Sequence, residues 1–198
     1  MPNKESPYKR KSARVRQQEL IEAGITCLGN GGMSGFTIDQ ICKTAGVSRG
    51  LINHHFKTKE ELLIRIYTDM TEHLADDRIW PSAKQKLKAI IDISFDERSF
   101  NRSNLRAWLS IWGQVANNPV LSKLHRDRYR FYSLRIKNAL QQEFKSRNSD
   151  FNTDSVARQL IALIDGLWLE YCLNAEGYLL ADAKTDCYQF LEAYGIRV

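Results

Sequence analysis

The chain has 198 residues, 43% of them hydrophobic, and its 29 Lys and Arg against 23 Asp and Glu give a formal net charge of +6. This length allows a substantial buried core, and the absence of any run of about 18 apolar residues predicts a soluble protein rather than a membrane-spanning one. Residues 1–65 carry 11 Lys and Arg against 6 Asp and Glu, whereas residues 66–198 carry 18 against 17. A polyanionic partner such as nucleic acid is therefore expected at the N-terminal end.

The first residues form a basic arm in which only Glu5 opposes six positive side chains. Such an arm can bind phosphates or lie in a minor groove, and the alternative is a solvated tail that is disordered when DNA is absent. No apolar segment typical of a signal peptide follows the arm, which agrees with the expectation of a soluble protein. The basic residues are Lys4, Lys9, Arg10, Lys11, Arg14 and Arg16.

A helix is predicted from about Ser12 to Asn30, ending at Gly31 and Gly32, and a second short helix follows it. Thr37 can cap this second helix, and Gly46 can end it in the left-handed conformation. Its apolar residues recur at helical spacing. The pattern therefore predicts the first two helices of a three-helix unit.

After a tight turn at Val47, Ser48 is predicted to cap a third helix that Leu51, Ile52 and Phe56 hold against the core. Its outer face then carries Arg49, Asn53 and His54. Arg can pair with guanine through two hydrogen bonds and Asn with adenine, and the N-terminal end of such a helix enters the major groove. The alternative is a helical corner in an all-α protein, where the turn residues have no further role.

The segment TIDQICKTAGVSRGLINHHFKTKEEL, residues 37–62, resembles the helix-turn-helix signature of the TetR-type transcriptional repressors. It departs from that signature at Cys42, where Ala is usual, and at Asn53 and His55, where Tyr is common. The resemblance implies an N-terminal DNA-binding domain in the bacterial cytoplasm. The residues it assigns to DNA contact, together with those chosen above, are Thr37, Ser48, Arg49, Gly50, Asn53, His54 and Lys59.

Thr58 and Glu61 form a capping box for a fourth helix. This helix starts beside the DNA-binding face, where Lys59 can reach a phosphate, and ends near Trp80 and Pro81. It is predicted to link residues 1–57, the arm and DNA-binding domain, to residues 58–198, a ligand-binding and dimerisation domain. A tilt of this helix at one end would therefore be transmitted to its other end, and so from one domain to the other. Its apolar stripe is Leu63, Ile66, Tyr67, Met70 and Leu74.

The remaining sequence predicts an all-α domain with helices near residues 83–95, 104–117, 119–146, 154–175 and 182–194. The helix over 154–175 is apolar on so broad a face that it needs burial on two sides, with Gly166 allowing close approach of another helix. A second copy of the chain is the expected partner, so that a two-fold dimer presents two recognition helices to an inverted-repeat operator. The alternative is a central helix of one domain. The last helix is expected to join the dimer interface through Ala183, Cys187, Phe190, Leu191 and Tyr194.

Aromatic residues and one carboxylate suggest a ligand site in this domain. Trp108 and Trp112 share a helix face, and Asp165 lies three residues before Trp168 in an apolar segment, where an isolated carboxylate is costly to bury. Aromatic rings beside a carboxylate suit a quaternary ammonium ion, which has no N–H group to satisfy. Tyr132 and Tyr171 could complete the cage. The alternative assigns the tryptophans to the core and Asp165 to a cap, an ion pair or the dimer interface.

The segments FDERSFNRSNLRAWLSIWGQVANNPVL, residues 95–121, and ALIDGLWL, residues 162–169, resemble the choline-responsive BetI repressors of glycine betaine synthesis. The resemblance extends from about Val15 to Tyr194. It implies a homodimeric, choline-responsive transcriptional repressor, and the alternative within the family is a regulator of efflux or catabolic genes with an apolar or aromatic inducer.

Other classes fit the sequence less well. A helical enzyme would need a nucleophile with a base, paired carboxylates or a phosphate-binding glycine loop, and none of these patterns occurs. A DNA-organising protein without an effector would not need the tryptophan-rich domain. No cofactor or metal is expected, since the adjacent His54 and His55 diverge on a helix and lack further ligands at suitable spacing. The cysteines are expected to be reduced core thiols: Cys27, Cys42, Cys172 and Cys187.

Overall fold

The computed structural model describes residues 12–75, 78–96, 100–174 and 179–198, and within these ranges the chain is helical with no strand. Lys4, Lys9, Arg10 and Lys11 of the basic arm lie outside the described residues. None of the described helices is long and apolar enough to cross a membrane. The helices are α1 (Ala13–Gly35), α2 (Ile38–Ala45), α3 (Arg49–His55), α4 (Lys59–Met70), α5 (Ala83–Ser94), α6 (Arg102–Val115), α7 (Pro119–Ser146), α8 (Thr153–Leu173) and α9 (Leu180–Ala193). The prediction that α4 ends near Trp80 and Pro81 is wrong, because a short 3-10 turn over Glu72–Ala75 follows its end at Met70.

The first three helices form the predicted helix-turn-helix unit, with one difference at the end of α1. The predicted end at Gly31 and Gly32 is a break in helical geometry at Gly32, whose φ is 59° and ψ is −154°, after which the helix continues to Gly35. The Thr37 hydroxyl accepts a hydrogen bond from the Gln40 amide at 3.2 Å. Gly46 has a φ of 65° and a ψ of 38°, the left-handed conformation that ends α2 as predicted.

Side-chain caps fix the starts of most of the other helices. Thr58 accepts a hydrogen bond from the Glu61 amide, which is one half of the predicted capping box, whereas the Glu61 carboxylate accepts from the amide of Lys57, one residue before the cap. Asn118 precedes Pro119 and accepts hydrogen bonds from the next two amides, which explains why the predicted start of α7 is correct. The residues that cap the starts of α5, α6 and α8 are Ser82, Asn101 and Asn152.

The three-helix unit is docked firmly on the C-terminal helices, chiefly where α1 crosses α6. At the crossing, a Cβ placed on Gly29 would lie 2.5 Å from the backbone oxygen of Ser103, so only glycine allows this approach. The Ser110 hydroxyl lies 3.5 Å from the Leu28 carbonyl oxygen. Because α6 also carries Trp108 and Trp112, the DNA-binding unit rests directly on the helix predicted to hold the ligand.

Gly29→Ala is therefore expected to lower the free energy of unfolding by about 1 to 3 kcal/mol, since backbone atoms at the crossing must move apart. Chemical denaturation of the two proteins measures the difference. Gly31→Ala is the matched control, because it lies two residues away in the same helix and nothing stands within 4 Å of its added Cβ. Equal stabilities of the two variants would contradict the close-approach argument.

The broadly apolar α8 is buried on one side within its own chain and open on the other, where the sequence predicts a second copy of the chain. Ile164, Leu167 and Trp168 face the core, while Leu169 and Leu173 are exposed, the latter by 70%, and nothing lies within 4 Å of a Cβ placed on Gly166. The stripe of α9 is used differently from the prediction. Ala183, Cys187 and Leu191 are fully buried within their own chain and are not available to a second copy.

Candidate functional site

The structure places the residues predicted to read DNA on one exposed end of the molecule. Ile52 and Phe56 are buried and anchor α3, which leaves Arg49, Asn53 and His54 exposed on its outer side. Gly50 is also exposed. α3 therefore presents the predicted side chains in the arrangement expected of a recognition helix.

Ser48 occupies the cap position of α3, but its side chain makes no capping hydrogen bond. The Leu51 amide instead bonds to the backbone oxygen of Ser48 at 3.0 Å. The prediction of a side-chain cap is therefore wrong, because the backbone already satisfies the helix end. The Ser48 hydroxyl is left exposed beside α3, where it is free of that structural role.

Arg49 has a partner that the sequence interpretation did not include. Its Nη2 lies 2.6 Å from Oδ1 of Asp39 on α2, and the two side chains are exposed by 63% and 80%. The hydrogen bond from Arg49 to Asp39 and the attraction between their charges raise the pKa of the Arg49 guanidinium above its ordinary value. The ten-residue separation across a turn gives no helical spacing from which the pair could be recognised.

The start of α4 lies beside this surface and is tied to the C-terminal helices. Lys59 is exposed, with Nζ 6.0 Å from the centre of the buried Phe36 ring, and Thr58 stands next to it. Glu60 accepts a hydrogen bond of 2.8 Å from Asn118, the residue that caps α7. This hydrogen bond therefore links the start of α7 to the end of α4 that carries Lys59.

The C-terminal helices enclose a small inner cavity of about 30 Å³ between α5, α6, α7 and α8. The ring centres of Trp108 and Trp112 are 5.6 Å apart, and the Trp168 ring lies perpendicular to that of Trp108 with 6.0 Å between their centres. Trp168 is fixed because its Nε1 donates a 3.0 Å hydrogen bond to the Ser94 carbonyl oxygen. The residues that line the inner cavity are Leu74, Ser94, Trp108, Trp112, Tyr129, Tyr132, Ile164, Asp165 and Trp168.

Asp165 is the charged group of this cavity. Burial raises the pKa of its carboxyl group to about 6, although a hydrogen bond from the Tyr129 hydroxyl, at 3.2 Å, acts in the opposite direction. None of the described Lys, Arg or His side chains forms an ion pair with it. Burial likewise raises the pKa of Tyr129, so that its phenol remains a donor at neutral pH. The site therefore holds a carboxylate whose ionised form lacks a cation.

One buried donor, Trp112 Nε1, faces the same region without a hydrogen bond to any described residue, whereas the Tyr132 hydroxyl has the Ser94 side chain beside it. A buried donor without a partner is costly, so such groups suggest a ligand that supplies an acceptor.

An outer cleft of about 470 Å³ lies next to the inner cavity and shares Trp112, Tyr129 and Asp165 with it. The inner cavity is about the volume of one water molecule, whereas the cleft can hold a small organic molecule. Asp165 thus stands where the two spaces meet. The other residues of the cleft are Val115, Ala116, Ser122, His125, Gly166 and Leu169.

The structure brings together five of the six residues predicted to bind a ligand: Trp108, Trp112, Tyr132, Asp165 and Trp168. Tyr171 is not among the residues lining either space, and its ring packs on Phe100 at 4.5 Å. Tyr129 and His125 were not predicted. They lie on the same face of α7 as Tyr132, and that spacing is the signal that could have identified them.

Direct contacts join the cavity to α4. The Tyr67 ring packs edge-on against Trp108 at 5.8 Å, and its hydroxyl lies 2.9 Å from Nδ1 of His125. The His125 ring lies 4.2 Å from the ring of Tyr129, the residue that bonds Asp165. Burial lowers the pKa of His125, which keeps its ring neutral at pH 7. Trp108 on α6 and His125 on α7 therefore both contact the fully buried Tyr67 of α4.

Comparisons with known proteins agree with this architecture. Residues 20–66 match the family of bacterial regulatory proteins of the tetR type, and residues 83–195 match the C-terminal domain of BetI-type transcriptional repressors. The chain is 33% identical over 184 residues to the HTH-type transcriptional regulator BetI of Cronobacter sakazakii, covering 89% of each protein. It is 34% identical over 169 residues to BetI of Escherichia coli, covering 82% of this chain and 85% of that one.

Solved structures show the same fold. A protein assigned as a transcriptional regulator from Pseudomonas aeruginosa superposes with a TM-score of 0.79 at 31% identity, covering 97% of this chain and 96% of that one. A regulator from Saccharomonospora viridis, solved in complex with choline, superposes with a TM-score of 0.77 at 20% identity, covering 91% of this chain and 97% of that one.

Proposed function

The chain belongs to the TetR family of bacterial transcriptional regulators and carries a BetI-type C-terminal domain, and from this premise we propose that it is a choline-responsive repressor of genes for glycine betaine synthesis. The observation that carries the choice of effector is Asp165, a half-buried carboxylate without an ion-pair partner among the described residues, beside three tryptophan rings. The target genes rest on the BetI resemblance of the C-terminal segments.

A quaternary ammonium ion matches this site chemically. It neutralises Asp165 without requiring hydrogen-bond acceptors, and each tryptophan face within about 6 Å attracts the cation by about 0.5 to 2 kcal/mol. Choline also carries a hydroxyl oxygen that can accept from Trp112 Nε1 or Tyr132. Betaine has a carboxylate in place of the hydroxymethyl group of choline, and Asp165 repels its negative charge, so the site is expected to prefer choline.

The small inner cavity suggests how binding changes the protein. A molecule of choline's size enters from the outer cleft and must spread the walls around Trp108 to reach all three tryptophans. Because Trp108 packs on Tyr67, this expansion acts directly on α4. We propose that the displacement of α4 changes the position of the DNA-binding unit.

The DNA-binding part of the proposal assigns residues 1–57 to operator recognition and residues 58–198 to ligand binding and dimerisation. Two copies would join through the exposed apolar strip of α8 and present two α3 helices to an inverted repeat. The side chains proposed to contact DNA are Thr37, Ser48, Arg49, Gly50, Asn53, His54 and Lys59.

Tryptophan fluorescence with choline tests the effector. We expect a saturable, choline-selective change, and Trp168→Phe is expected to weaken binding by about tenfold because it removes the larger π face and the fixed indole. Trp80→Phe is the matched control, since Trp80 lines a separate cleft formed by α5 and the segment before it. Unchanged choline affinity in Trp168→Phe, or a flat calorimetric titration of the wild-type protein, would remove choline from the proposal.

A second candidate is a regulator of efflux or catabolic genes with an apolar or aromatic inducer. The observation that favours it is the outer cleft, where Val115, Ala116 and Leu169 supply apolar walls. An uncharged aromatic compound that binds more tightly than choline, and whose affinity is the same in Asp165→Asn, would support this candidate.

A further inference from the structure

The ion pair between Arg49 and Asp39 lies on the face that carries the recognition helix. Asp39 is in the first turn of α2, and Arg49 is the first residue of α3. Their contact at 2.6 Å joins the two helices on the outside of the turn. No other ion pair between α2 and α3 is present among the described residues.

Stability does not explain this pair. Both side chains are mostly exposed, and an exposed pair contributes little to folding because water and salt screen it. The buried Ile41, Ile52 and Phe56 already hold α2 and α3 in place. A carboxylate on a face that approaches phosphates also repels DNA. The Asp39 carboxylate is therefore expected to lower the affinity of the protein for DNA of any sequence.

The pair does restrict the Arg49 side chain. An unpaired arginine samples many rotamers and can turn to any nearby phosphate, which strengthens binding to every sequence alike. The contact with Asp39 uses one of the five N–H groups of the guanidinium. The other N–H groups of Arg49 remain available for a two-bond contact with guanine. The contact with Asp39 fixes the plane of the guanidinium before DNA binds.

We propose that Asp39 is a specificity-determining residue that positions Arg49 for base readout and keeps it from phosphates. The inference rests on the proposed function, in which Arg49 contacts a base. Asp39 itself touches no base, and its effect is transmitted through Arg49. Its removal should therefore reduce discrimination while increasing general affinity, a combination that simple loss of a structural contact does not produce.

The test uses the full chain and the DNA duplex that the wild-type protein selects from a randomised pool. Affinities are measured for this duplex, for its single-base-pair variants and for a scrambled duplex, at several salt concentrations. The proteins are wild type, Arg49→Ala, Asp39→Asn, Asp39→Ala and the double variant Asp39→Ala with Arg49→Ala. Glu22→Gln is the matched control, since it removes one exposed negative charge from α1 of the same unit.

Arg49→Ala should lose about tenfold of discrimination at one base pair in each half-site. Asp39→Ala should lose most of the same discrimination at the same base pair, bind the scrambled duplex more tightly and show a salt dependence steeper by about one phosphate contact. Asp39→Asn should change in the same direction but by less, because its amide oxygen can still accept the hydrogen bond from Arg49. The double variant should discriminate no worse than Arg49→Ala, because the two residues act through one contact.

Two results would overturn the inference while leaving the proposed function intact. One is an Asp39 variant that binds all duplexes more tightly with discrimination unchanged, which would make Asp39 only a competitor for Arg49. The other is an Asp39→Ala protein that behaves as Glu22→Gln does. Failure of the wild-type protein to select any duplex would overturn operator recognition itself, and the inference with it.

Discussion

Asp165→Asn is expected to weaken choline binding by at least about 2 kcal/mol and to stabilise the ligand-free protein at neutral pH. The loss follows from removing the negative partner of a buried cation. The gain follows because asparagine can still accept the hydrogen bond from Tyr129 but carries no charge to bury. Opposite effects on affinity and stability are the signature of a residue retained for binding.

The stability gain depends on pH with a definite sign. Burial raises the folded-state pKa of Asp165 from its ordinary 3.8 to about 6, so the folded state binds more protons than the unfolded state between these values. Wild-type stability at this site therefore falls as pH rises through that window. At about 1.4 kcal/mol for each pKa unit, the penalty is at most about 3 kcal/mol above pH 6 and disappears below the ordinary pKa.

Urea unfolding of wild type and Asp165→Asn at about pH 7.5 and about pH 4.5 measures the gain and its decrease at the lower pH. Asp154→Asn is the matched control, because Asp154 is exposed at the start of the same helix and pairs with Lys137. Choline affinity should also fall about tenfold for each pH unit below pH 6 in wild type only, since the cation requires the ionised carboxylate. A destabilised Asp165→Asn at neutral pH would show that the carboxylate is a structural acceptor instead.

Tyr67→Phe is expected to separate ligand binding from the DNA response. The variant keeps the ring packed on Trp108 but loses the hydroxyl that bonds His125, so movement of the α7 wall no longer reaches α4 through this contact. Coupling free energies between two sites are typically about 1 to 3 kcal/mol, and we expect Tyr67→Phe to lose at least about 1 kcal/mol of the coupling between choline and operator. Choline affinity of the DNA-free protein should change much less.

The measurement is a thermodynamic cycle: choline affinity with and without saturating operator, and operator affinity with and without choline. The two ratios must agree for each protein because coupling is reciprocal. Tyr194→Phe is the matched control, since its hydroxyl bonds Gln159 near the opposite end of α8. If Tyr67→Phe retains the wild-type ratio, the signal reaches α4 without the His125 hydrogen bond, and the packing of Trp108 on the Tyr67 ring is the next contact to test.

The fold was largely predictable because its signals are local. Asn118 with Pro119 defines the start of α7, Thr37 and Gly46 bound α2, and each acts within a few residues. The break at Gly32 was located correctly, but the helix resumes beyond it. Continuation to Gly35 depends on contacts that the local pattern does not contain.

The candidate site was predictable where residues of one helix share a face, as with Asp165 and Trp168. It was not predictable where two helices must meet. Tyr129 and Tyr132 both lie on α7, and only the packing of α7 against α8 determines that the Tyr129 hydroxyl reaches Asp165. Tyr171 shows the reverse case, because its spacing from Trp168 suggests a shared site while its ring lies against Phe100.

The inner cavity of about 30 Å³ has a consequence for the concentration at which such a protein responds. If only a small fraction of molecules is open at any moment, the apparent dissociation constant is the intrinsic one divided by that fraction. The response threshold is then set by how tightly Trp108 packs against Tyr67 as well as by the aromatic cage. In the proposed function, substitutions of Tyr67 would therefore shift the range of effector concentrations that the protein detects without altering any group that touches the effector.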